Sequence, residues 1–240
     1  MNMLSDQVDK TGSTARTALS AEQFAPAQRR ARRSGSTKLQ IVLVVWFMAI
    51  AAAMAGLTRY AYTPGAAGEM PLSWPQNSTI ARDPLRPVLV CFLHPRCPCS
   101  RATLAELARF TAIMGRDVDV KIVMVRPETC AAGWEQGTLL KKAHEIVGAE
   151  ILIDEAGREA TRFGVRTSGH VGLYDKQAVL QFSGGITPSR GHEGANAGID
   201  AMAQRLVGGE RAVCSTPVFG CPLFAQPEVE TTDQATCCQR

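Results

Sequence analysis

The chain has 240 residues, 45% of them apolar, which suits one globular domain plus a membrane anchor and is tight for two full domains. Its formal charge of +4 lies wholly before position 39, where seven Lys or Arg (Lys10, Arg16, Arg29, Arg30, Arg32, Arg33, Lys38) face three acids (Asp6, Asp9, Glu22). The remainder is neutral, with no basic stripe, which argues against nucleic acid as a partner.

Residues 1–37 are rich in Ser, Thr, Ala and Arg without a sustained apolar period, and are read as a disordered basic arm. Leu39 to Leu57 is an apolar run interrupted only by Gln40, about 28 Å long as a helix and close to the hydrocarbon thickness of a bilayer. The expected transmembrane anchor covers residues 38–59. Arg29-Arg30-Ala31-Arg32-Arg33 precedes it and only Arg59 lies at its far end, so the arm is expected in the cytoplasm and the rest outside, in a periplasmic or extracellular space. The alternative is a cleaved signal peptide, with small-residue sites at Ala51-Ala52-Ala53 and Ala53-Met54-Ala55. Residues 60–86 carry Pro64, Gly65, Gly68, Pro71, Pro75 and Pro84 and read as a linker that lifts a domain off the bilayer.

A globular domain is expected over 87–208. Val88 to His94 is an almost unbroken apolar run, the mark of a strand buried on both faces. After Cys97-Pro98-Cys99, a helical pattern places Leu104, Leu107, Ala108 and Met114 on one side and stops at Gly115. Val118–Val125 reads as a strand, Thr138–Val147 as a helix, Ile151–Asp154 as a short strand and Gly157–Phe163 as a helical turn. Val171–Tyr174 and Ala178–Phe182 form an expected antiparallel pair, and Ala195–Val207 a final helix after the glycine-rich stretch 184–194. This order implies an α/β fold, a central mixed sheet with helices on both faces. A tail with four cysteines, 209–240, follows. Glu106 and Glu145 read as solvated charges on helix surfaces.

Eight cysteines fit an oxidising compartment, or a protein that handles thiols or soft metals. Cys91, inside an apolar strand, reads as a small buried hydrophobe. Cys97 sits where a buried strand gives way to a helix. Pro98 suits a first helical position, so Cys97 is the expected N-cap residue. A thiolate there faces free backbone N–H groups and the positive end of the helix dipole, which lowers its pKa below about 8.5. A second sulfur at Cys99 can capture a mixed disulfide or share a soft metal ion. Cys214 and Cys221 bracket Ser-Thr-Pro-Val-Phe-Gly and are expected to form a structural disulfide that staples the tail; the alternative is that they resolve a disulfide formed at Cys97. Cys237 and Cys238 receive no role.

Val88 to Phe110, VLVCFLHPRCPCSRATLAELARF, resembles the active-site segment of membrane-anchored thioredoxin-like proteins of the TlpA/ResA type, and more closely the RedB-like branch with its H-P-x-C-P-C-S run. The stretch ILIDEAGREATRFGVRTSGHVGLYDKQAVLQFSGG continues the likeness, which spans Pro87 to about Val207. The resemblance implies a thioredoxin-like fold and thiol–disulfide exchange through Cys97 and Cys99, with protein thiols or disulfides as partners and no cofactor. It departs in two places. Ser100 holds the position of the usual second cysteine, so a Cys97–Cys99 disulfide closes a small, strained ring. Gly169, between Ser168 and His170, stands where the family places a cis-proline beside the cysteines. Ser168, Gly169 and His170 are therefore expected to guide the substrate chain or exchange a proton with Cys97, and the missing ring leaves the sulfur face less shielded. Arg190 and His192, in the loop that borders the cysteines in this fold, are expected to line the site. His94 is read as structural, with metal ligation as its alternative.

Two functions compete. The first is a thiol–disulfide oxidoreductase in which Cys97 attacks and Cys99 resolves. The second is a copper carrier or sensor with Cys97, Cys99 and His170 as ligands. A peroxiredoxin-like peroxidase is disfavoured because His94 replaces the Ser or Thr its motif needs, and no Walker loop, H-E-x-x-H, G-x-S-x-G or C-x-x-C-H is found.

Overall fold

A computed structural model describes residues 33–66, 68–115, 117–208 and 214–224. The arm before position 33 and the pair Cys237-Cys238 lie outside the described residues. The chain divides into two units, 1–51 and 52–240.

Helix α1, Arg33–Ala61, contains a 25-residue stretch, Thr37–Ala61, of mean hydropathy 2.4, long and apolar enough to cross a membrane. Its large side chains, Leu39, Val42, Trp46, Phe47 and Leu57 among them, are exposed. A continuous apolar surface of this kind is costly in water. Residues 33–37, read as part of the arm, are helical, because extending a nucleated helix costs far less than starting one.

The following elements are β1 (Val88–Leu93), α2 (Ser100–Met114), β2 (Asp119–Arg126), α3 (Thr138–His144), β3 (Ala149–Glu155), α4 (Arg158–Arg162), β4 (His170–Tyr174), β5 (Leu180–Gly185), α5 (Ala197–Leu206) and β6 (Cys214–Ser215). They build one six-stranded sheet in the order β3-β2-β1-β4-β5-β6. β1, β2 and β3 are parallel, β4 is antiparallel to both β1 and β5, and β6 runs parallel to β5. Parallel β-α-β-α-β strands followed by an antiparallel hairpin and a closing helix make a thioredoxin-like fold.

Strand β1 is central and completely buried, which explains its unbroken apolar sequence. Leu89, Cys91 and Leu93 face one core with Leu104, Leu107 and Phe110 of α2, Leu139 of α3 and Met202 of α5. Val88, Val90 and Phe92 face the other, with Ala160 of α4, Phe163 and Tyr174. Cys91 is a core residue, its thiol pushed up to about 12 by burial.

Three expectations change. The 60–86 stretch is not a free spacer: Met70 and Ile80 are buried in the second core, and Trp74 packs edge-on against Phe163 and Tyr174 at 4.9 and 5.1 Å. Apolar residues set between its prolines drive this docking, and Leu180 N–H donates to the Leu72 carbonyl at 2.8 Å. Glu106 is not solvated but buried, accepting from Arg109 at 2.5 Å and from the Gly194 N–H at 2.6 Å. It thereby ties the 190–194 loop to α2. Third, β5 continues through Gly184 and Gly185, the first residues of the expected glycine-rich stretch.

If residues 65–80 cover a core, Trp74→Ala lowers the unfolding free energy by about 2–4 kcal/mol, whereas a spacer residue costs under about 0.5. Urea unfolding of the detergent-solubilised chain, followed by circular dichroism, distinguishes the two.

Candidate functional site

At the carboxyl end of β1 the chain turns through His94-Pro95-Arg96, closed by Cys97 N–H donating to the His94 carbonyl at 3.1 Å. Cys97 to Cys99 then run as a tight turn, with Ser100, Arg101 and Ala102 N–H groups each reaching back three residues. Helix α2 begins at Ser100 and its N-cap is Cys99, with no side-chain cap. The expected N-cap at Cys97 is thus displaced by two residues: the first turn is of the tighter 3₁₀ kind, which commonly precedes an α-helix. Cys97 still stands at the mouth of this turn.

Its sulfur is not open to solvent as the absence of a proline ring suggested. Cys97 is 4% exposed. The cover is the tail, which the sequence placed outside the domain. β6 pairs with β5, and the chain then runs back across the sheet edge. Thr216 Oγ1 donates to the Gly185 carbonyl at 2.7 Å, Gly65 N–H to the Val218 carbonyl at 2.9 Å, Ser168 N–H to the Cys221 carbonyl at 2.8 Å, and Leu223 N–H to the Arg166 carbonyl at 2.8 Å. Thr167 and Pro222 form an antiparallel bridge. Gly220 fits here because it lacks a side chain: a Cβ would lie 1.9 Å from the Ser168 carbonyl oxygen. Gly169 adopts φ +91°, a conformation that favours glycine, and its N–H donates to the Phe92 carbonyl at 2.8 Å.

This path brings Cys221 to Cys97 and Cys99, the three sulfurs lying within 4.8 Å of one another. The expected Cys214–Cys221 disulfide does not form: both thiols are free, Cys214 held in β6 opposite Phe182 and Cys221 drawn to the active-site turn. The fold separates what a seven-residue spacing seemed to join, because the tail is stretched across the sheet edge rather than folded on itself.

Cys221 and Ser100 favour the ionised form of Cys97, whose sulfur lies within 4.8 Å of those of Cys99 and Cys221. The Cys221 S–H is the strongest influence, followed, against the cost of burial, by the Cys221 N–H and the Ser100 O–H and N–H. Together they pull the thiol down to about 4. Ser100 is itself positioned by Ser168, their hydroxyls 2.7 Å apart, and Ser168 accepts from His94 N–H at 2.8 Å. The Ser168 hydroxyl therefore supports Ser100 from inside the fold. Cys99 is pushed up by burial and then by the Cys97 charge; Cys221 is pushed up because its proton is committed to Cys97 and because it is buried. Near neutral pH the cluster holds one thiolate and two thiols, and it titrates as a unit.

Arg190 reaches the site through Cys221 and not through Cys97. It donates through Nη1 to the Gly220 carbonyl and through Nε to Thr63 at 3.1 Å, and it stacks on Tyr60 at 5.0 Å. Its charge favours the ionised forms of Cys99 and Cys221. His192 does not enter: it is exposed, its ring N–H donating back to the Arg190 carbonyl at 2.8 Å. His170 is not in the sulfur cluster. It pairs with Phe92 in register, shares the face of the sheet away from α2, and its Nε2 lies 2.8 Å from Ser183 Oγ. Among the described residues the candidate metal set is Cys97, Cys99 and Cys221. His94 lies beside the site, held below its usual pKa by burial against the opposing pull of the Cys97 charge. Its ring meets Trp134 edge-on at 5.3 Å, and Arg96 stacks over the same indole at 4.5 Å. Trp134 was not singled out in the sequence, and nothing in its neighbourhood of the chain marks it.

No family model matches the chain, and no curated protein matches it. Solved structures do. An uncharacterised conserved protein from Geobacillus kaustophilus aligns at 16% identity and TM-score 0.50, over 70% of this chain and 96% of that one. A hypothetical protein from Sinorhizobium meliloti aligns at 19% and 0.48, over 67% and 95%. A secreted Mycobacterium tuberculosis disulfide oxidoreductase homologous to E. coli DsbE aligns at 16% and 0.36, over 51% and 81%. The Geobacillus likeness shows a common fold; the other two fall below that level.

The donor set yields a graded prediction. Cys221→Ala raises the Cys97 midpoint by about one to two pH units, Ser100→Ala by less, and Cys221→Ser leaves it low because a hydroxyl still donates. Difference ultraviolet absorbance against Cys97→Ser reads the thiolate directly. The folded value near 4 lies below the unfolded value of about 8.5. The stability from ionised Cys97 is therefore complete above the unfolded value and lost as pH falls through the folded one. The reduced wild type should lose stability relative to Cys97→Ser between those limits, measured by urea unfolding at stepped pH.

Proposed function

We propose that the chain is a membrane-anchored thiol–disulfide redox protein whose domain works outside the cytoplasm, with Cys97 as the nucleophile and protein thiols or disulfides as its substrates. The observation that carries this reading is the cluster of Cys97, Cys99 and Cys221 at the strand-to-helix turn, their sulfurs within 4.8 Å of one another, with the Cys97 thiol pulled down. A thiolate is the attacking species in disulfide exchange, and an adjacent thiol completes the exchange. The thioredoxin-like fold, the apolar helix Thr37–Ala61 and the arginines before it support the remaining parts. Cys97 is covered, so a protein substrate engages it only when the 216–224 segment moves aside. The Ser168 N–H, expected to meet a substrate chain, is already paired with the Cys221 carbonyl.

A second reading, a Cu(I) carrier, is favoured by one observation, the mutual approach of three sulfurs within 4.8 Å. Three soft thiolate donors suit Cu(I). Cys221 takes the place first given to His170.

The detergent-solubilised chain is expected to reduce insulin in the presence of dithiothreitol, and Cys97→Ser to fall to the uncatalysed rate. Equal turnover in the two proteins contradicts the redox reading. Anaerobic Cu(I) titration tests the second: binding weaker than about micromolar, the threshold for holding copper as cargo at about −8 kcal/mol, removes it.

A further inference from the structure

Three places in the molecule were left with chemistry unaccounted for: the indole of Trp134 with its stacked Arg96, the arginine that joins Tyr60 and Thr63 to Gly220, and the tail cysteine set against the active-site turn. The last carries furthest. Building on the redox reading above, we propose that Cys221, rather than Cys99, is the resolving cysteine, so that the working disulfide joins Cys97 to the C-terminal segment.

Geometry separates the two candidates. Cys99 lies two residues from Cys97 inside a tight turn, with Ser100 N–H donating to the Cys97 carbonyl at 3.1 Å and Cys99 itself in a helical conformation. A disulfide across Pro98 closes a very small ring and must unwind this turn, because disulfide geometry is narrow. Cys221 arrives from outside the turn on a separate strand-like segment. Its sulfur lies within 4.8 Å of the Cys97 sulfur. The segment is held in place along its length by backbone hydrogen bonds to Ser168, Arg166 and Gly65 and by the Arg190 guanidinium, which donates to the Gly220 carbonyl. Gly184, Gly185 and Gly220 permit the approach: a Cβ at any of them would lie 2.5 Å or less from an atom of Thr216, Pro217 or Ser168.

The exchange balances without an outside reagent beyond the substrate disulfide. The Cys97 thiolate attacks one sulfur of that disulfide; the S–S bond breaks and the first substrate thiolate leaves. The Cys221 thiol gives its proton to that leaving thiolate. Cys221 sulfur then attacks Cys97 sulfur in the mixed disulfide, forming the Cys97–Cys221 bond and releasing the second substrate thiolate. The substrate disulfide gains two electrons and the Cys97/Cys221 pair loses them. Cys99 keeps its proton throughout.

Oxidised glutathione serves as the probe, with the full-length chain reduced in detergent and then exposed to it. Quenching, trypsin digestion without reduction and mass spectrometry locate the bonds. Cleavage after Arg96 and Arg101 releases Cys97 and Cys99 on one short peptide, and cleavage after Arg211 places Cys221 on another. The wild type and Cys99→Ser should both give the two peptides cross-linked, with fragment ions assigning Cys221. Cys221→Ser, which keeps a donor for the thiolate, should accumulate glutathione at Cys97 without release. An intrapeptide Cys97–Cys99 disulfide in the wild type, or release of glutathione from Cys221→Ser at the wild-type rate, overturns the assignment and leaves the redox reading standing. Cys97 left as a free thiol in the wild type and both variants, with neither a glutathione adduct nor a disulfide, overturns the redox reading, and the assignment falls with it. The wild-type map needs no variant to fold.

Discussion

An anionic sulfur that is only 4% exposed has to be solvated by the protein, because water cannot reach it in numbers. Cys221 and Ser100 favour the charge on Cys97, and Cys221 belongs to a segment remote in sequence. The rest of the sheet edge follows from this requirement. The tail must reach the turn, so β5 is lined with Gly184 and Gly185 where Thr216 and Pro217 press against it. The loop 167–169 must pair with that tail, so Gly220 meets the Ser168 carbonyl without a side chain between them. Ser168 in turn positions the Ser100 hydroxyl.

The same network explains why Cys99 and Cys221 remain thiols while Cys97 ionises. Each S–H near a thiolate is stabilised by keeping its proton, and burial acts in the same direction. The positive charge of Arg190 opposes this and limits it. Arg190 also gathers Tyr60, Thr63 and Gly220 around one guanidinium, so the end of the apolar helix and the residue Thr63 beyond it share an anchor with the cysteine segment. The helix-start electrostatics inferred from sequence do contribute, through the Ser100 N–H, but rank behind the Cys221 thiol.

Much of this fold was legible in the chain. The apolar run at Val88 reads as a doubly buried strand because it is one, and the hairpin around Asp175 announces itself through its turn residues. Helix ends were harder. α3 stops at His144, where Glu145 N–H reaches back three residues to Lys142 rather than four, and α5 starts after Asn196, whose side chain caps Ile199 N–H at 2.9 Å. The pattern read from Ala195 begins two residues before the helix does. The tail was illegible for a physical reason: Cys-Ser-Thr-Pro-Val-Phe-Gly-Cys-Pro has no periodicity, since its partners are carbonyls and amides of distant loops. The paired glycines at 184–185 were the available signal, because glycine inside a strand marks a close backbone approach. His170 illustrates the opposite error. Proximity in sequence to the expected proline position suggested contact with Cys97, yet strand alternation turns its side chain to the Phe92 face.

Stabilising a thiolate stabilises the reduced protein, and a stabilised reduced form makes a disulfide more oxidising. The most direct test is the equilibrium reduction potential of the full-length chain in detergent, measured against glutathione at neutral pH. A value less negative than about −200 mV is predicted, in the range of disulfide-donating proteins. A value at or below about −270 mV, the level of thioredoxin, would contradict the claim that Cys97 is held as a thiolate by its neighbours.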